Sequence, residues 1–192
     1  IVGAMGRMSG NRIAYGLSTA YVEVIRNTPV LVQLYFLYFG LPSLGLNLGS
    51  KATAILGLTI SAGGYLTEIV RAGIQSIQKN QIEAAFSLGM TSMQVFFLVR
   101  LPQAVRKILL PVGNQFIATT LASAIAAMIA AEELTYMAML LESRTFRSLE
   151  IYIVTIAIYF IICQVLRVAL RLLGRVYLRK DPDFIRSLPP NL

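Results

Sequence analysis

The sequence predicts an all-α integral membrane protein, and two observations carry this prediction. Hydrophobic residues make up 56% of the chain and charged residues only 14%, whereas charged residues form about 25% of a typical soluble domain. The apolar residues also occur in continuous runs, long enough to cross a bilayer as helices, instead of the alternating pattern of a membrane barrel. The net charge of +8 comes from basic residues at the ends of these runs, so it does not indicate binding to nucleic acid.

The chain begins within an apolar segment. Residues 1–8 are predicted to be the remnant of a first membrane helix, which Arg7 ends. No Met stands at the first position, so we expect the full protein to have residues before Ile1. From Ile13 to Ile25 apolar residues recur at helical spacing, which predicts an amphipathic helix lying along the membrane interface.

Four complete spans are predicted after this remnant. The first of them should start with Thr28 as N-cap and Pro29 as the first helical residue. A membrane domain of residues 1–180 would then be followed by a cytoplasmic tail, residues 181–192. The four predicted spans are residues 28–48, 52–72, 107–131 and 150–172.

A polar loop, residues 79–103, separates two of these spans and contains two helix-start signals. Asn80 with Glu83 three residues later fits a capping box, and Thr91 with Gln94 fits a second one. Each box would pair the side chains with backbone N–H groups that a helix start leaves free. The loop is therefore predicted to hold two short helices.

A glycine and a proline set the limits of these two helices. Gly89 follows the first helix, where the chain needs a residue that tolerates a left-handed conformation. Pro102 is expected to close the second helix, because proline cannot continue the backbone hydrogen-bond ladder. We therefore expect the two helices to meet at a glycine hinge.

The distribution of Lys and Arg predicts the orientation in the membrane. If the loop of residues 79–103 lies in the cytoplasm, only Lys51, Arg144 and Arg147 lie outside, against fourteen basic residues inside. This excess follows the rule that cytoplasmic segments are enriched in basic residues. The N-terminus of the full chain would then lie outside and its C-terminus in the cytoplasm.

The loop resembles the EAA loop of bacterial ABC importer permeases, whose pattern is EAA-x3-G-x9-I-x-LP. The one departure is Val99 in place of Ile. The resemblance implies a five-helix type I permease domain, with its first helix largely missing here, and an inner-membrane location. It also implies that the matching residues couple the permease to an ATPase. These residues are Glu83, Ala84, Ala85, Gly89, Leu101 and Pro102.

Two further stretches are similar to the polar amino acid branch of these permeases. They are Arg26–Gln33 (RNTPVLVQ) and Tyr65–Ile74 (YLTEIVRAGI). The resemblance implies import of histidine, arginine, glutamate, glutamine or an opine. Where the branch often carries a Lys-Asp pair followed by small hydroxyl residues, this chain has Leu121–Ala124, which leaves the amino acid subclass open.

The sequence predicts no catalytic chemistry in this chain. It has no histidine and no Gly-x4-Gly-Lys-[Ser/Thr] loop, so we predict no metal site, no catalytic residue and no bound nucleotide. ATP and magnesium are expected on a separate ATPase. The implied partners are two ABC ATPase subunits, a second permease chain that is identical or homologous, and a periplasmic or lipid-anchored amino acid-binding protein.

Four polar residues of the predicted span 107–131 are candidates for a substrate path, and bonding to neighbouring helices is the alternative role for them. They are Asn114, Thr119, Thr120 and Ser123. Glu68 is expected to form a local ion pair with Arg71.

Two other classes of transporter remain as alternatives. One is an ABC permease for another small solute, such as methionine. The other is an ATP-independent secondary transporter, which predicts acidic residues within the spans and inverted repeats. The sequence shows neither in a recognisable form.

Overall fold

The computed structural model describes the backbone of residues 2–178 and the side chains of residues 2–174. All regular elements within this range are helical. The predicted tail, residues 181–192, lies outside the described residues. The helices are α1 (Val2–Arg7), α2 (Arg12–Arg26), α3 (Val30–Ser43), α4 (Gly49–Gln75), α5 (Lys79–Ser87), α6 (Ser92–Gln94), α7 (Leu101–Ala122), α8 (Leu134–Thr145) and α9 (Ser148–Leu178).

Helix α4 lies at the centre and packs against α1, α2, α3 and α7. Small residues on α4 allow this close approach. A Cβ atom at Gly73 would lie 2.0 Å from Cγ2 of Ile108 on α7, and one at Gly64 would lie 2.7 Å from Cγ2 of Ile25 on α2. Helices in a membrane gain little from burying apolar surface against each other, so close backbone contact through small residues contributes to their packing.

The predicted apolar face of helix α2 is only partly covered by the other described helices. Asn11 caps its start, accepting a hydrogen bond from the backbone N–H of Ile13 at 2.9 Å. Tyr21 donates to the backbone oxygen of Ile60 on α4 at 2.7 Å. The predicted apolar positions Ile13 and Leu17 remain exposed on the side away from the described helices.

The predicted span 28–48 is shorter in the structure and starts later. Pro29 is extended (φ −62°, ψ 135°) and is itself the N-cap, so the prediction of Thr28 as N-cap and Pro29 as first helical residue is wrong. Thr28 instead donates from Oγ1 to the backbone oxygen of Val24 at 2.7 Å, which closes the end of α2. With 14 residues, α3 is about 21 Å long, against roughly 30 Å for the hydrocarbon core.

Within residues 2–178, three helical segments are long and apolar enough to cross a membrane, against four complete spans predicted. The described spans are Gly49–Gln75, Ser92–Ile129 and Ser148–Gly174. The first of the four predicted spans, residues 28–48, is too short because α3 ends at Ser43 and the chain turns at Gly45, whose φ is +82°.

The second helix of the loop does not end at Pro102, which corrects that prediction. A π-helical turn, Val95–Arg100, joins α6 to α7, and a 3₁₀ segment, Ser123–Ile129, continues α7, so Ser92–Ile129 is one helical segment of 38 residues. The N–H of Leu101 bonds to the oxygen of Phe96, one residue further back than in an α-helix. Proline is tolerated here because the wider turn makes room for its ring and does not depend on its missing N–H.

Helix α8 was not predicted from the sequence. The carboxylate of Glu133 caps its start, accepting from the N–H groups of Thr135 at 2.9 Å and Tyr136 at 2.7 Å. The hydroxyl of Tyr159 on α9 donates to the same carboxylate at 2.9 Å. This contact fixes α8 against α9.

Candidate functional site

The candidate site has two parts, the loop of residues 79–103 and a cavity between α4 and α7. In the loop, α5 starts at Lys79 with Gln78 as an N-cap that makes no side-chain hydrogen bond. The predicted capping box of Asn80 with Glu83 is therefore wrong. Ile77 is buried (4% exposed) and fixes the chain just before the helix, which moves the helix start ahead of Asn80.

The turn after α5 matches the prediction for Gly89. Its φ is +77°, in the left-handed region. The N–H of Gly89 bonds to the oxygen of Phe86 at 2.9 Å, and the N–H of Met90 bonds to the oxygen of Ala85 at 3.2 Å. This pair of bonds is a Schellman motif, which satisfies the last carbonyls of a helix and turns the chain sharply.

The second predicted capping box is confirmed. The hydroxyl of Thr91 accepts a hydrogen bond from the N–H of Gln94 at 3.4 Å, and the Gln94 side chain accepts from the N–H of Thr91 at 2.8 Å. Two tight structures, the Gly89 turn and this box, therefore follow each other and set the angle between α5 and the helix that begins at Ser92.

The predicted coupling residues divide into exposed and buried groups. Glu83, Ala84, Gly89 and Pro102 are exposed, and Leu101 is half-buried. Ala85 is buried on the side of α5 that packs against the π turn.

The exposed side of the loop also carries large apolar residues. Leu88 is 83% exposed, and Phe86, Met93 and Phe97 are exposed as well. An exposed carboxylate on α5, with exposed apolar side chains on the same loop, is a suitable surface for a protein partner.

The cavity has a volume of about 600 Å³, within the usual range for small-molecule sites. It lies between the link that joins α2 to α3, the middle of α4 and the second half of α7. Its lining consists of Asn27, Thr28 and Pro29 from the link, Arg26 and Val30 from the adjoining ends of α2 and α3, Leu58, Ser61, Ala62 and Tyr65 from α4, and Gln115, Ala118, Thr119 and Ala122 from α7.

Gln33 holds the link in place. Its amide nitrogen donates to the backbone oxygen of Ile25 at 2.9 Å, to that of Thr28 at 3.1 Å and to Oγ1 of Thr28 at 2.9 Å. The guanidinium carbon of Arg26 lies 5.6 Å from the centre of the Tyr65 ring, a cation–π distance. These contacts give the link a defined shape at the cavity wall.

A half-buried charge cluster adjoins this wall. The predicted pair of Glu68 and Arg71 is present. Glu68 also accepts from Nη1 of Arg7 at 2.8 Å, and Nη1 of Arg26 lies 3.9 Å from the same carboxylate oxygen. The cluster thus joins α1, α2 and α4, and sequence reasoning missed it because 61 residues separate Arg7 from Glu68.

The structure separates the four candidate path residues. Thr119 lines the cavity together with Gln115, a polar residue of the same predicted span that was not among the four candidates. Asn114 is exposed outside the cavity lining. Thr119, Thr120 and Ser123 each donate to a backbone oxygen of the same helical segment, those of Gln115, Phe116 and Thr120, and of these three only Thr119 also lines the cavity. The helical period of 3.6 residues could have grouped Gln115 with Thr119 on one face.

Among the described residues no group of His, Cys, Asp or Glu is arranged to hold a metal ion. Cys163, the single cysteine of the chain, is buried.

Residues 1–178 match the family of binding-protein-dependent transport system inner membrane components. The probable glutamine ABC transporter permease protein GlnM of Bacillus subtilis is 40% identical over 146 residues, which cover 76% of this chain and 68% of the relative. The glutamine transport system permease protein GlnP of Escherichia coli K12 is 34% identical over 177 residues, 91% of this chain and 81% of the relative.

A solved structure gives the same result for the fold. The match to the crystal structure of an amino acid ABC transporter with histidines covers 90% of this chain and 81% of the chain in that structure. The TM-score is 0.85 and the sequence identity is 39%. The predicted all-α membrane permease fold is confirmed by this likeness, as is the predicted resemblance to amino acid ABC permeases.

Proposed function

The chain belongs to the family of binding-protein-dependent transport system inner membrane components, and from this premise we propose how it imports polar amino acids. It is the permease subunit of an ABC importer, a multi-pass protein of the inner membrane. The loop of residues 79–103 docks on a separate ATPase. The observation that carries this proposal is the left-handed turn at Gly89, which joins two helices on a loop with exposed Glu83 and exposed apolar side chains.

The helical segment Ser92–Ile129 supports a direct mechanical link from the loop to the cavity. It begins at the Thr91 capping box and carries Gln115 and Thr119 on the cavity wall. Movement of the loop therefore reaches the cavity wall through one continuous helical segment. Closure of two ATPase subunits around ATP and magnesium would shift the permease between two conformations, each of which binds its ligands with different affinity.

Glu83 offers a carboxylate to a cationic group of the ATPase. It is exposed, and its carboxylate makes no hydrogen bond or ion pair with residues 2–174. A charge-assisted bond to Lys or Arg is about twice as strong as a neutral one, and the apolar neighbours Phe86 and Leu88 would exclude water around it.

The remaining partners follow from the number of helices and the charge distribution. One chain has too few membrane helices to enclose a path, so a second permease chain, identical or homologous, completes it. The distribution of basic residues supports a cytoplasmic location of the loop, with an amino acid-binding protein that delivers the substrate on the other side. The cavity is the part of the path formed by this chain, with Thr119 and Gln115 as its polar contacts.

Reconstitution tests the proposal against its alternatives. Proteoliposomes with this chain, its ATPase and its binding protein should take up a polar amino acid only when ATP is present. Uptake driven by an ion gradient without ATP would favour a secondary transporter, and ATP-dependent uptake of methionine alone would favour another branch of ABC permeases.

A variant pair tests the role of the loop in the same assay. Glu83→Ala should lower both ATPase binding and stimulated hydrolysis, while the permease stays in the membrane. Glu150→Ala is the matched control, because Glu150 is also exposed but starts α9 on the predicted outer side. Equal activity of Glu83→Ala, Glu150→Ala and the parent would contradict the assignment of the loop.

A further inference from the structure

A second concave surface lies between the segment Ser92–Ile129 and α9, and none of its lining residues lines the cavity described above. It is an open groove of about 460 Å³. Most of its lining is apolar, and one end carries a charge. The lining residues are Leu121 and Ala124 from the segment Ser92–Ile129, and Ile156, Tyr159, Phe160, Cys163 and Arg167 from α9.

The groove runs along one face of α9 inside an apolar span. Ile156 and Phe160 on this face are exposed, and both belong to the span Ser148–Gly174. Ile156 and Arg167 are eleven residues apart, which corresponds to about 16 Å of helix. Half of the hydrocarbon core of a bilayer is about 15 Å thick, so a single acyl chain can follow the groove along its length.

The charged end of the groove has no counterion among the described residues. Arg167 is exposed, Arg171 follows one turn later, and neither makes a hydrogen bond or ion pair with residues 2–174. Helix α7 contains no Asp or Glu, and Glu150 lies at the opposite end of α9. Two like charges four residues apart destabilise a helix, and a guanidinium within an apolar span is costly without a partner. The pair therefore needs an anion from outside these helices.

The depth of the two arginines suits a lipid headgroup. Arg167 lies seven residues before the end of the span at Gly174, which is about 10 Å along the helix. Arginine side chains near the end of a span extend toward the headgroups while their stems stay in the apolar region. The predicted orientation puts this end of α9 in the cytoplasmic leaflet. A guanidinium fork binds phosphate oxygens with two parallel hydrogen bonds.

We propose that the groove binds an anionic phospholipid of the cytoplasmic leaflet, with its phosphate at Arg167 and Arg171 and an acyl chain along Phe160 and Ile156. Leu121 and Ala124 form the opposite wall of the acyl-chain site. A zwitterionic lipid also has a phosphate, but it brings a cation that the two guanidinium groups repel. The site therefore selects lipids with net negative charge.

A second copy of this chain is a less suitable occupant. Its three described spans contain only two carboxylates, those of Glu68 and Glu150. Glu68 already pairs with Arg7 and Arg71, and Glu150 lies at the end of α9 away from Arg167. An identical chain thus has no free carboxylate at the depth of the two arginines, whereas a phospholipid brings its phosphate to that depth.

The first test compares two lipids with the same acyl chains. Phosphatidylglycerol and phosphatidylcholine are titrated onto the purified permease complex in detergent, and bound lipid is counted by native mass spectrometry. The parent should bind phosphatidylglycerol about tenfold more tightly or more, since each basic residue near anionic lipid contributes about fivefold. Equal binding of the two lipids would overturn the proposal.

Variants of the two arginines provide the second arm. Arg167→Gln combined with Arg171→Gln should weaken binding of phosphatidylglycerol by about tenfold or more. Arg12→Gln is the matched control and should equal the parent, because Arg12 is exposed on the same predicted side of the membrane but outside the groove. If the double variant keeps its lipid, the proposal fails. If it instead releases a second permease chain and keeps its lipid, the groove belongs to a contact between chains.

A photoreactive lipid locates the site in the parent chain without any variant. Phosphatidylglycerol with a diazirine in its acyl chain should crosslink to peptides that contain Leu121–Ala124 and Ile156–Cys163. Mass spectrometry of the digested complex identifies these peptides. Crosslinks confined to other helices would refute the assignment of the groove, even if the complex prefers anionic lipid.

Discussion

Replacement of Gly89 tests whether the geometry of the loop couples the permease to its ATPase. The φ of Gly89 is +77°, and a Cβ atom built there has no other atom within 4 Å. The cost of a side chain is therefore conformational and not steric. A left-handed conformation costs a residue with a Cβ atom about 1–2 kcal/mol, and a β-branched residue more.

Two hydrogen bonds depend on the left-handed conformation of Gly89. If Gly89→Val leaves the left-handed region to relieve the strain, the bonds from Gly89 to Phe86 and from Met90 to Ala85 are lost. Helix α5 then changes its angle to the helix that starts at Ser92. A penalty of about 1–2 kcal/mol for restoring the docking geometry lowers the affinity for the ATPase by roughly 5–30-fold.

The assay is titration of the purified ATPase onto the permease in nanodiscs, followed by measurement of substrate-stimulated ATP hydrolysis. Gly89→Asn is the matched control, since asparagine tolerates the left-handed region better than other residues with a side chain. We expect affinity to fall in the order parent, Asn, Ala, Val. Equal affinity for the Val variant and the parent would refute the reasoning, and an equal loss in all three variants would show that the ATPase contacts position 89 directly.

Two further predictions concern stability and topology. Glu68→Gln leaves three guanidinium groups around a neutral amide at a position that is 15% exposed. The free energy of unfolding should therefore fall by about 3 kcal/mol and the melting temperature by roughly 6–12 °C. The melting temperature is measured in detergent by the reaction of buried Cys163 with a thiol-reactive fluorophore, and a value equal to that of Glu150→Gln would contradict the prediction. Single cysteines at exposed Asn80 and Ser143, in a Cys163→Ala background, should react with an impermeant reagent from opposite sides. Reaction of both from outside would overturn the predicted orientation.

The sequence by itself determined the features that depend on neighbouring residues. The capping box of Thr91 and Gln94 and the left-handed turn at Gly89 each involve only a few consecutive residues, so their physics is complete within the sequence. The continuous apolar runs likewise predicted the helical membrane fold, because a backbone in lipid must satisfy its own hydrogen bonds. The motif of the loop identified the family for the same reason, since its positions lie at fixed spacing.

Only the tertiary structure decided features in which distant segments compete with local signals. Burial of Ile77 moved the start of α5 away from Asn80, and the π turn before Leu101 let the helix continue through Pro102. Neither effect can be read from the neighbouring residues alone, which predicted a helix start at Asn80 and a helix end at Pro102.

The same limit applies to the cavity and its charge. Glu68 and Arg71 are three residues apart and could be paired from the sequence, whereas Arg7 reaches that carboxylate from 61 residues away. Arg26 became part of a cavity wall only because α2 and α4 approach closely at Gly64. Charges that far apart along the chain meet through helix packing, and helix packing depends on the shapes of all the contacting faces together.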